Sequence, residues 1–173
     1  EDWYLAKLNP VTGEKVWDRA CGSTGSDSIQ EMTVDNEGNV LLVGYLQGGL
    51  GSAKIIKVRS DGTDVWTRTL YTLLGTTQYY SVVSDRVVTD SAGDVMIGGE
   101  DHASSPRRFW ATKLTGDTGA RVWEWAGGRE SNSFIGGMAV DGDGHAVLSA
   151  ASYNPSTNND LLVVKINGSS GAE

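Results

Sequence analysis

Short runs of apolar residues recur along the chain, and each is bounded by a turn that contains glycine. One such run is Val40–Val43, which follows the segment Asp35-Asn36-Glu37-Gly38. An aspartate and a glycine at this spacing favour a tight turn, because the carboxylate accepts the turn's own amides and glycine tolerates a positive φ. The β-branched run after the turn is typical of a buried strand. No segment shows sustained apolar spacing at about 3.6 residues between helix caps, so we predict strands and no helix.

Three landmarks recur in a fixed order, which indicates an internal repeat. The first is a lysine between apolar residues of a predicted strand: Lys7, Lys57, Lys113 and Lys165. The second is a tryptophan after a glycine turn: Trp17, Trp66 and Trp123. The third is the turn aspartate: Asp35, Asp90 and Asp141. Successive lysines are 50, 56 and 52 residues apart, which sets the length of one repeat.

Each repeat holds four predicted strands, which we name A to D. In the first complete set, A is Ile29–Val34, B is Val40–Tyr45, C is Ala53–Val58 and D is Asp64–Leu70. Four strands in roughly 50 residues are the unit of a β-propeller blade. Packing blades around an axis buries the sheet faces and leaves only short edges. We therefore predict an all-β chain of about three four-stranded antiparallel blades, an incomplete ring that is part of a larger propeller.

The repeats divide the chain at 2–53, 54–108, 109–159 and 160–173, where a fourth repeat starts. With the strands assigned to repeats in this way, the sequence opens on a C strand and stops after another C strand. The sheet faces at the two ends are then predicted to be uncovered, and they carry Trp3, Tyr4, Leu161 and Val163. We expect further blades of the same longer chain, or other copies of it, to cover them.

The combined landmarks resemble a known repeat. Asp2-Trp3-Tyr4-Leu5-Ala6-Lys7-Leu8-Asn9 precedes Trp17, then Cys21-Gly22-Ser23-Thr24-Gly25-Ser26-Asp27 and the Val34-Asp35 turn. This order resembles the SBBP-type seven-bladed β-propeller repeat over nearly the whole chain. A glycine pair expected after the Trp strand is present at Gly127-Gly128, becomes Cys21-Gly22 in the first copy and is lost in the second. The resemblance implies a propeller, commonly in secreted or cell-surface proteins, and no defined chemistry.

The composition of the chain limits the kinds of partner and of site that can be expected. A net charge of −8 disfavours nucleic acid, and no apolar stretch is long enough to predict a membrane span. The single cysteine, Cys21, excludes an internal disulfide and a zinc site with several cysteines. Asn167-Gly168-Ser169 is an N-glycosylation sequon, usable if the protein is secreted.

The recurrent residues each allow a structural and a functional interpretation. The aspartates either close turns or bind calcium, and Asp141-Gly142-Asp143-Gly144 has only the start of a calcium loop. The lysines either pair with carboxylates between blades or line a channel, and the tryptophans either pack between blades or stack on sugars. The two histidines, His102 and His145, lie in different repeats and are interpreted as turn or loop residues. We predict no catalytic, metal-binding or cofactor-binding residue, and no cofactor.

Loop variation singles out one face. The A–B and C–D turns keep nearly constant lengths, whereas the B–C loops (47–52, 100–108 and 152–159) and the D–A loop at 71–85 vary. Repeat proteins usually place recognition on the face that carries such insertions. The candidate binding face therefore consists of Tyr79, Tyr80, His102, Arg107, Arg108 and Tyr153.

These observations predict a non-enzymatic extracellular or cell-surface module. It would act as a structural or adhesive scaffold and bind a protein or a glycan through the variable-loop face. The alternative is the propeller domain of a secreted enzyme or cofactor-binding protein, because the turn before Trp17 is also similar to that of quinone-dependent dehydrogenase propellers.

Overall fold

The computed structural model describes residues 3–21, 26–47, 52–70, 82–101, 108–127, 133–154, 156 and 158–173. These ranges contain thirteen strands and no helix, so the prediction of an all-β chain is confirmed for the part of the chain that is described. The strands are β1 (Tyr4–Leu8), β2 (Lys15–Ala20), β3 (Ser26–Val34), β4 (Val40–Gln47), β5 (Ser52–Val58), β6 (Asp64–Leu70), β7 (Val82–Thr89), β8 (Val95–Asp101), β9 (Arg108–Leu114), β10 (Arg121–Gly127), β11 (Ser133–Val140), β12 (Ala146–Asn154) and β13 (Asn158–Ile166).

The strands form four antiparallel sheets in which each strand pairs with its neighbour in sequence. Sheet 1 contains β1 and β2, sheet 2 contains β3 to β6, sheet 3 contains β7 to β10, and sheet 4 contains β11 to β13. Sheets 2 and 3 therefore hold complete A–B–C–D sets, sheet 1 holds a C–D pair, and sheet 4 holds an A–B–C set. The short turns after strands A and C allow this simple order, because antiparallel neighbours need only a tight connection.

Every A strand carries an irregularity at the same place. The register shifts between Ile29 and Glu31 in β3, between Ser84 and Arg86 in β7, and at the corresponding position of β11. Such a bulge bends its strand and increases the local twist. A strands of successive sheets also contact one another, since the Glu31 carboxylate accepts the Val87 amide at 2.6 Å. The edge of each sheet that is formed by strand A therefore lies close to the A strand of the next sheet.

Three apolar clusters lie between successive sheets. The first joins sheets 1 and 2, the second joins sheets 2 and 3, and the third joins sheets 3 and 4. Their centres are fully buried side chains, such as Ile55 and Trp110 in the second cluster and Leu148 in the third. The core is consequently divided into layers, one for each junction between sheets.

The expectation that Trp3 lies on an uncovered face was wrong. Its side chain is 2% exposed, because its ring packs against Gly44 of sheet 2 and the Lys54 ammonium lies 5.5 Å from the ring centroid. Tyr4, the next residue of the strand, points the other way and is 59% exposed. Alternation along a strand puts neighbours on opposite faces, so only one of the two can lie on the bare face.

Within the described residues, no helix is long and apolar enough to cross a membrane.

The contact between Trp3 and Gly44 gives a first test of the packing between sheets. A methyl group at residue 44 would lie 2.1 Å from the Ser28 carbonyl oxygen and 2.6 Å from the Trp3 ring. We expect Gly44→Ala to reduce the free energy of unfolding by about 1–3 kcal/mol, the usual cost of overpacking. Gly142→Ala is the matched control, because a methyl there meets no atom within 4 Å. Equal urea-unfolding midpoints for the two variants would contradict this packing.

Candidate functional site

The A–B turns are held by their aspartates. Asp35 Oδ1 accepts the backbone amides of Glu37 at 3.0 Å and Asn39 at 2.9 Å. The same pair of bonds forms in the other two turns, at Asp90 and Asp141. In sheets 2, 3 and 4, one carboxylate oxygen of the aspartate is therefore bonded to the turn, and the other is directed to a side chain.

The second oxygen pairs with the lysine of strand C in the same sheet. The distance from Asp35 Oδ2 to Lys57 Nζ is 2.9 Å, and their side chains are only 1% and 5% exposed. The corresponding distance is 2.8 Å for Asp90 and Lys113. It is 2.6 Å in sheet 4, where the Lys165 side chain is 55% exposed. The ion pair is thus repeated, but its burial differs between sheets.

The lysine and the tryptophan of one sheet donate to a single carbonyl oxygen of the next sheet. Lys57 Nζ lies 2.8 Å from the Gly116 oxygen, and Trp66 Nε1 lies 3.0 Å from the same atom. We call this arrangement the shared-carbonyl junction. It occurs three times in the described residues: Lys7 and Trp17 on Ser60, Lys57 and Trp66 on Gly116, and Lys113 and Trp123 on Gly168.

A glycine of positive φ lies against the indole ring at each of these junctions. Gly119 has a φ of 65°, and a Cβ atom there would lie 2.8 Å from the Trp66 ring. Gly62 and Gly171 have the same relation to Trp17 and Trp123. The C–D turn therefore needs glycine at this position for two reasons: the backbone has a positive φ, and a side chain would collide with the indole ring.

Arginines on strand D extend two of the junctions. Arg68 Nε donates to the Gly119 carbonyl oxygen at 3.0 Å, and Arg19 Nη1 donates to that of Gly62 at 2.8 Å. Arg19 also pairs with Asp64 of the following sheet at 2.8 Å. Sequence reasoning missed these arginines. The sequence does contain a pattern, because each arginine stands two residues after the repeated tryptophan. The pattern is incomplete, because the third repeat has Trp125 at this position.

Neighbouring groups shift the pKa values of two members of the buried pairs, Asp35 and Lys113. Burial alone raises the pKa of Asp35, but hydrogen bonds from Lys57 and Asn39 outweigh it, so this pKa lies below its ordinary value. Burial likewise acts to lower the pKa of Lys113, while Asp90 and Asp94 raise it above the ordinary value. Both shifts favour the charged form of the group, because each charge lies close to groups of opposite sign or to hydrogen-bond donors.

A polar cleft of about 720 Å³ opens between the turns of sheets 2 and 3. Its lining includes Lys57, Arg59 and the acidic side chains Asp35, Glu37, Asp94 and Asp117. The Arg59 guanidinium donates to the Asp64 carbonyl oxygen at 2.7 Å, and Glu37 accepts from the Asn39 amide group at 3.1 Å. The cleft thus lies at the shared-carbonyl junction, and its charged groups take part in the hydrogen bonding of the turns.

The predicted binding face lies mostly outside the described residues. Tyr79, Tyr80, His102 and Arg107 are outside the described ranges, and so is the side chain of Tyr153. Arg108 is described: it starts β9, is half-buried, and its Nε atom is buried without a hydrogen-bond partner. The grouping of the six residues stays a prediction.

Two other candidates lie on the turns of sheet 4. His145 Nδ1 is 3.3 Å from the Asp143 carbonyl oxygen and 3.6 Å from Asp141 Oδ1. Across the ranges that the structure covers, no three His, Cys, Asp or Glu side chains are grouped so as to hold a metal ion. In the C–D turn, Asn167 Oδ1 accepts the amides of Ser169 and Ser170, each at 3.0 Å. Glycosylation of Asn167 stays untested by this geometry.

Comparison with known proteins gives the fold alone. No protein-family model and no curated protein matches the chain. A crystal structure of a protein of unknown function from Bacteroides caccae is similar, with a TM-score of 0.54 and 16% sequence identity. The match covers 96% of this chain and 56% of that one, so the chain spans about half the length of that protein.

The ion pair in sheet 4 predicts a measurable titration. The hydrogen bond from Lys165, with the amides of the turn, lowers the pKa of Asp141 from 3.8 to about 2. We expect a carboxyl ¹³C NMR titration to give this midpoint, and Lys165→Met to move it upwards. Because the folded-state pKa is depressed, the stabilisation by ionised Asp141 is complete above pH 4 and is lost as the pH falls towards 2. A midpoint near the ordinary value that does not respond to Lys165→Met would contradict the pairing.

Proposed function

We propose that the chain is part of a β-propeller in which the sheets are successive blades of the SBBP-repeat type. Three features support this. The sheets are antiparallel meanders in sequence order, every described A strand is bulged at the same position, and the three described junctions share the lysine and tryptophan bonds to one carbonyl oxygen. Radial packing of such sheets buries both faces of each internal blade, which a single sheet cannot do.

We further propose that this propeller is a non-enzymatic extracellular or cell-surface scaffold that binds a protein or a glycan. The observation that carries the proposal is a difference between the two ends of the strands. The end with the A–B and C–D turns is occupied by repeated ion pairs and shared carbonyl groups, as at Lys57, Asp35 and Gly116. This end is committed to holding the sheets together, so recognition is assigned to the opposite end.

The opposite end carries the B–C and D–A loops, whose lengths differ between repeats. Its sequence includes tyrosine and arginine, residue types that are enriched in protein interfaces and their hot spots. The described member, Arg108, follows a B–C loop and stands opposite Asp101 in the β8–β9 register. The resemblance to repeats that are common in secreted proteins supports an extracellular or cell-surface location.

Matched arginine variants test which end binds. We expect a panel of immobilised glycans and extracellular-matrix proteins to include a ligand for the chain. Arg108→Ala should weaken this binding about tenfold or more, the effect of losing a hot-spot residue. Arg59→Ala, on the turn at the other end, should leave it within about twofold. Surface plasmon resonance measures both.

The opposite ranking of the two variants would contradict the proposed binding face. Quinone-dependent oxidation of alcohols by the purified chain would contradict the non-enzymatic assignment and favour the enzymatic alternative.

A further inference from the structure

Two C–D turns begin with an asparagine whose side chain closes the turn. Asn167 Oδ1 accepts the backbone amides two and three residues further on, each at 3.0 Å. Asn9 Oδ1 accepts the equivalent amides at 2.9 and 3.1 Å. Two N–H donors draw negative charge onto the side-chain oxygen, so Cγ of each asparagine is more open to attack by a nucleophile.

The two turns differ in the residue that follows the asparagine. Asn9 is followed by Pro10, which has no N–H, whereas Asn167 is followed by Gly168. This is the one asparagine–glycine pair in the sequence. The next amide nitrogen along a chain can attack the asparagine Cγ and close a five-membered ring. Glycine hinders this attack least, because it has no side chain and the widest range of backbone angles.

The amide of Gly168 is not held by an acceptor. In sheet 3 the equivalent amide, that of Gly116, donates to Asp94 Oδ1 at 3.0 Å. Sheet 4 has His145 at the place of Asp94, and its Nδ1 lies 3.3 Å from the Asp143 carbonyl oxygen. Among the described residues, the Gly168 amide therefore has no hydrogen-bond acceptor. The difference arises within sheet 4, from the exchange of one side chain.

We propose that Asn167 is a site of spontaneous deamidation, in which the Gly168 amide nitrogen attacks Asn167 Cγ. As this bond forms, negative charge develops on Oδ1, where the two turn amides stabilise it as the donors of an oxyanion hole do. The bond between Cγ and Nδ2 then breaks, and Nδ2 leaves as ammonia with the proton of the Gly168 amide. Water opens the resulting succinimide, either at Cγ to give aspartate or at the main-chain carbonyl to give isoaspartate.

The isoaspartate product alters the junction between sheets 3 and 4. Its main chain runs through Cβ and Cγ, and is therefore longer by one methylene group immediately before Gly168. The Gly168 carbonyl oxygen is the shared acceptor of Lys113 Nζ at 3.2 Å and Trp123 Nε1 at 3.0 Å. Displacing this oxygen weakens both bonds. Deamidation at Asn167 is thus a slow covalent change that loosens one junction, whichever ligand binds at the loop end.

Incubation of the full 173-residue chain at mildly alkaline pH tests the reaction. Peptide mass spectrometry follows the exchange of ammonia for water at each asparagine. Asn167 should convert and Asn9 should not, because Pro10 offers no N–H. Conversion should be about tenfold faster in the folded chain than in a synthetic peptide of residues 164–172, because preorganised donors stabilise the developing oxyanion. Slower conversion in the folded chain would overturn the proposal, since the turn would then protect Asn167.

His145→Asp is the matched variant, because it restores the carboxylate that holds the equivalent amide in sheet 3. It should slow conversion at Asn167 about tenfold, the effect of one hydrogen bond that must be broken first. An unchanged rate would contradict the role of the unbonded amide. Circular dichroism checks that the variant is folded, and the comparison of chain with peptide decides the matter if it is not.

Urea unfolding tests the effect on the junction. The isoaspartate form, separated from the aged chain, should unfold at a lower urea concentration than Asn167→Asp. That variant carries the same added charge without the extra methylene group, so it isolates the change in the main chain. Equal midpoints would contradict the loosening of the junction. Binding at the loop end is measured separately, so failure here leaves the proposed function standing.

Discussion

The burial of a lysine ammonium group is the constraint on which the rest of the structure depends. An unpaired charge in an apolar interior is strongly unfavourable, so Lys57 needs both a carboxylate and a further acceptor. Asp35 supplies the first from its own sheet, and the Gly116 carbonyl supplies the second from the next sheet. Because the two acceptors belong to different sheets, neutralising one charge also fixes how the sheets are placed relative to one another.

The other recurrent residues follow from this contact. Trp66 shares the Gly116 carbonyl and lays its ring over Gly119, so the next turn must present a glycine there. The end of the sheets that carries the A–B and C–D turns is consequently occupied by similar bonds at the three described junctions, and its turns keep nearly constant length. The loops at the other end differ in length between repeats, which is why we propose that recognition lies there.

Much of the fold could be predicted from local pattern, and contacts between sheets could not. The bounds predicted for strand D, Asp64–Leu70, are those of β6, because turn glycines and β-branched runs act within a few residues. The shared carbonyl is a main-chain group, which any residue type can supply: sheet 2 has Ser60 where sheet 3 has Gly116. The residue type at this position therefore does not reveal the contact. Trp3 was misplaced for a related reason: which face of a strand is covered depends on the neighbouring sheet. The loop residues of the candidate site have no repeated pattern from which to infer their positions.

Urea unfolding of two lysine variants tests the central claim most directly. Lys57 and Lys165 occupy equivalent positions and pair with equivalent aspartates, but only Lys57 is covered by a following sheet and bonded to its carbonyl. Lys57→Met should therefore lower the free energy of unfolding by about 3–5 kcal/mol, the cost of breaking a buried pair from one side. Lys165→Met should change it by about 1 kcal/mol or less, as for an exposed pair. Equal losses for the two variants would contradict the account, because the junction with the next sheet would then add nothing to the ion pair.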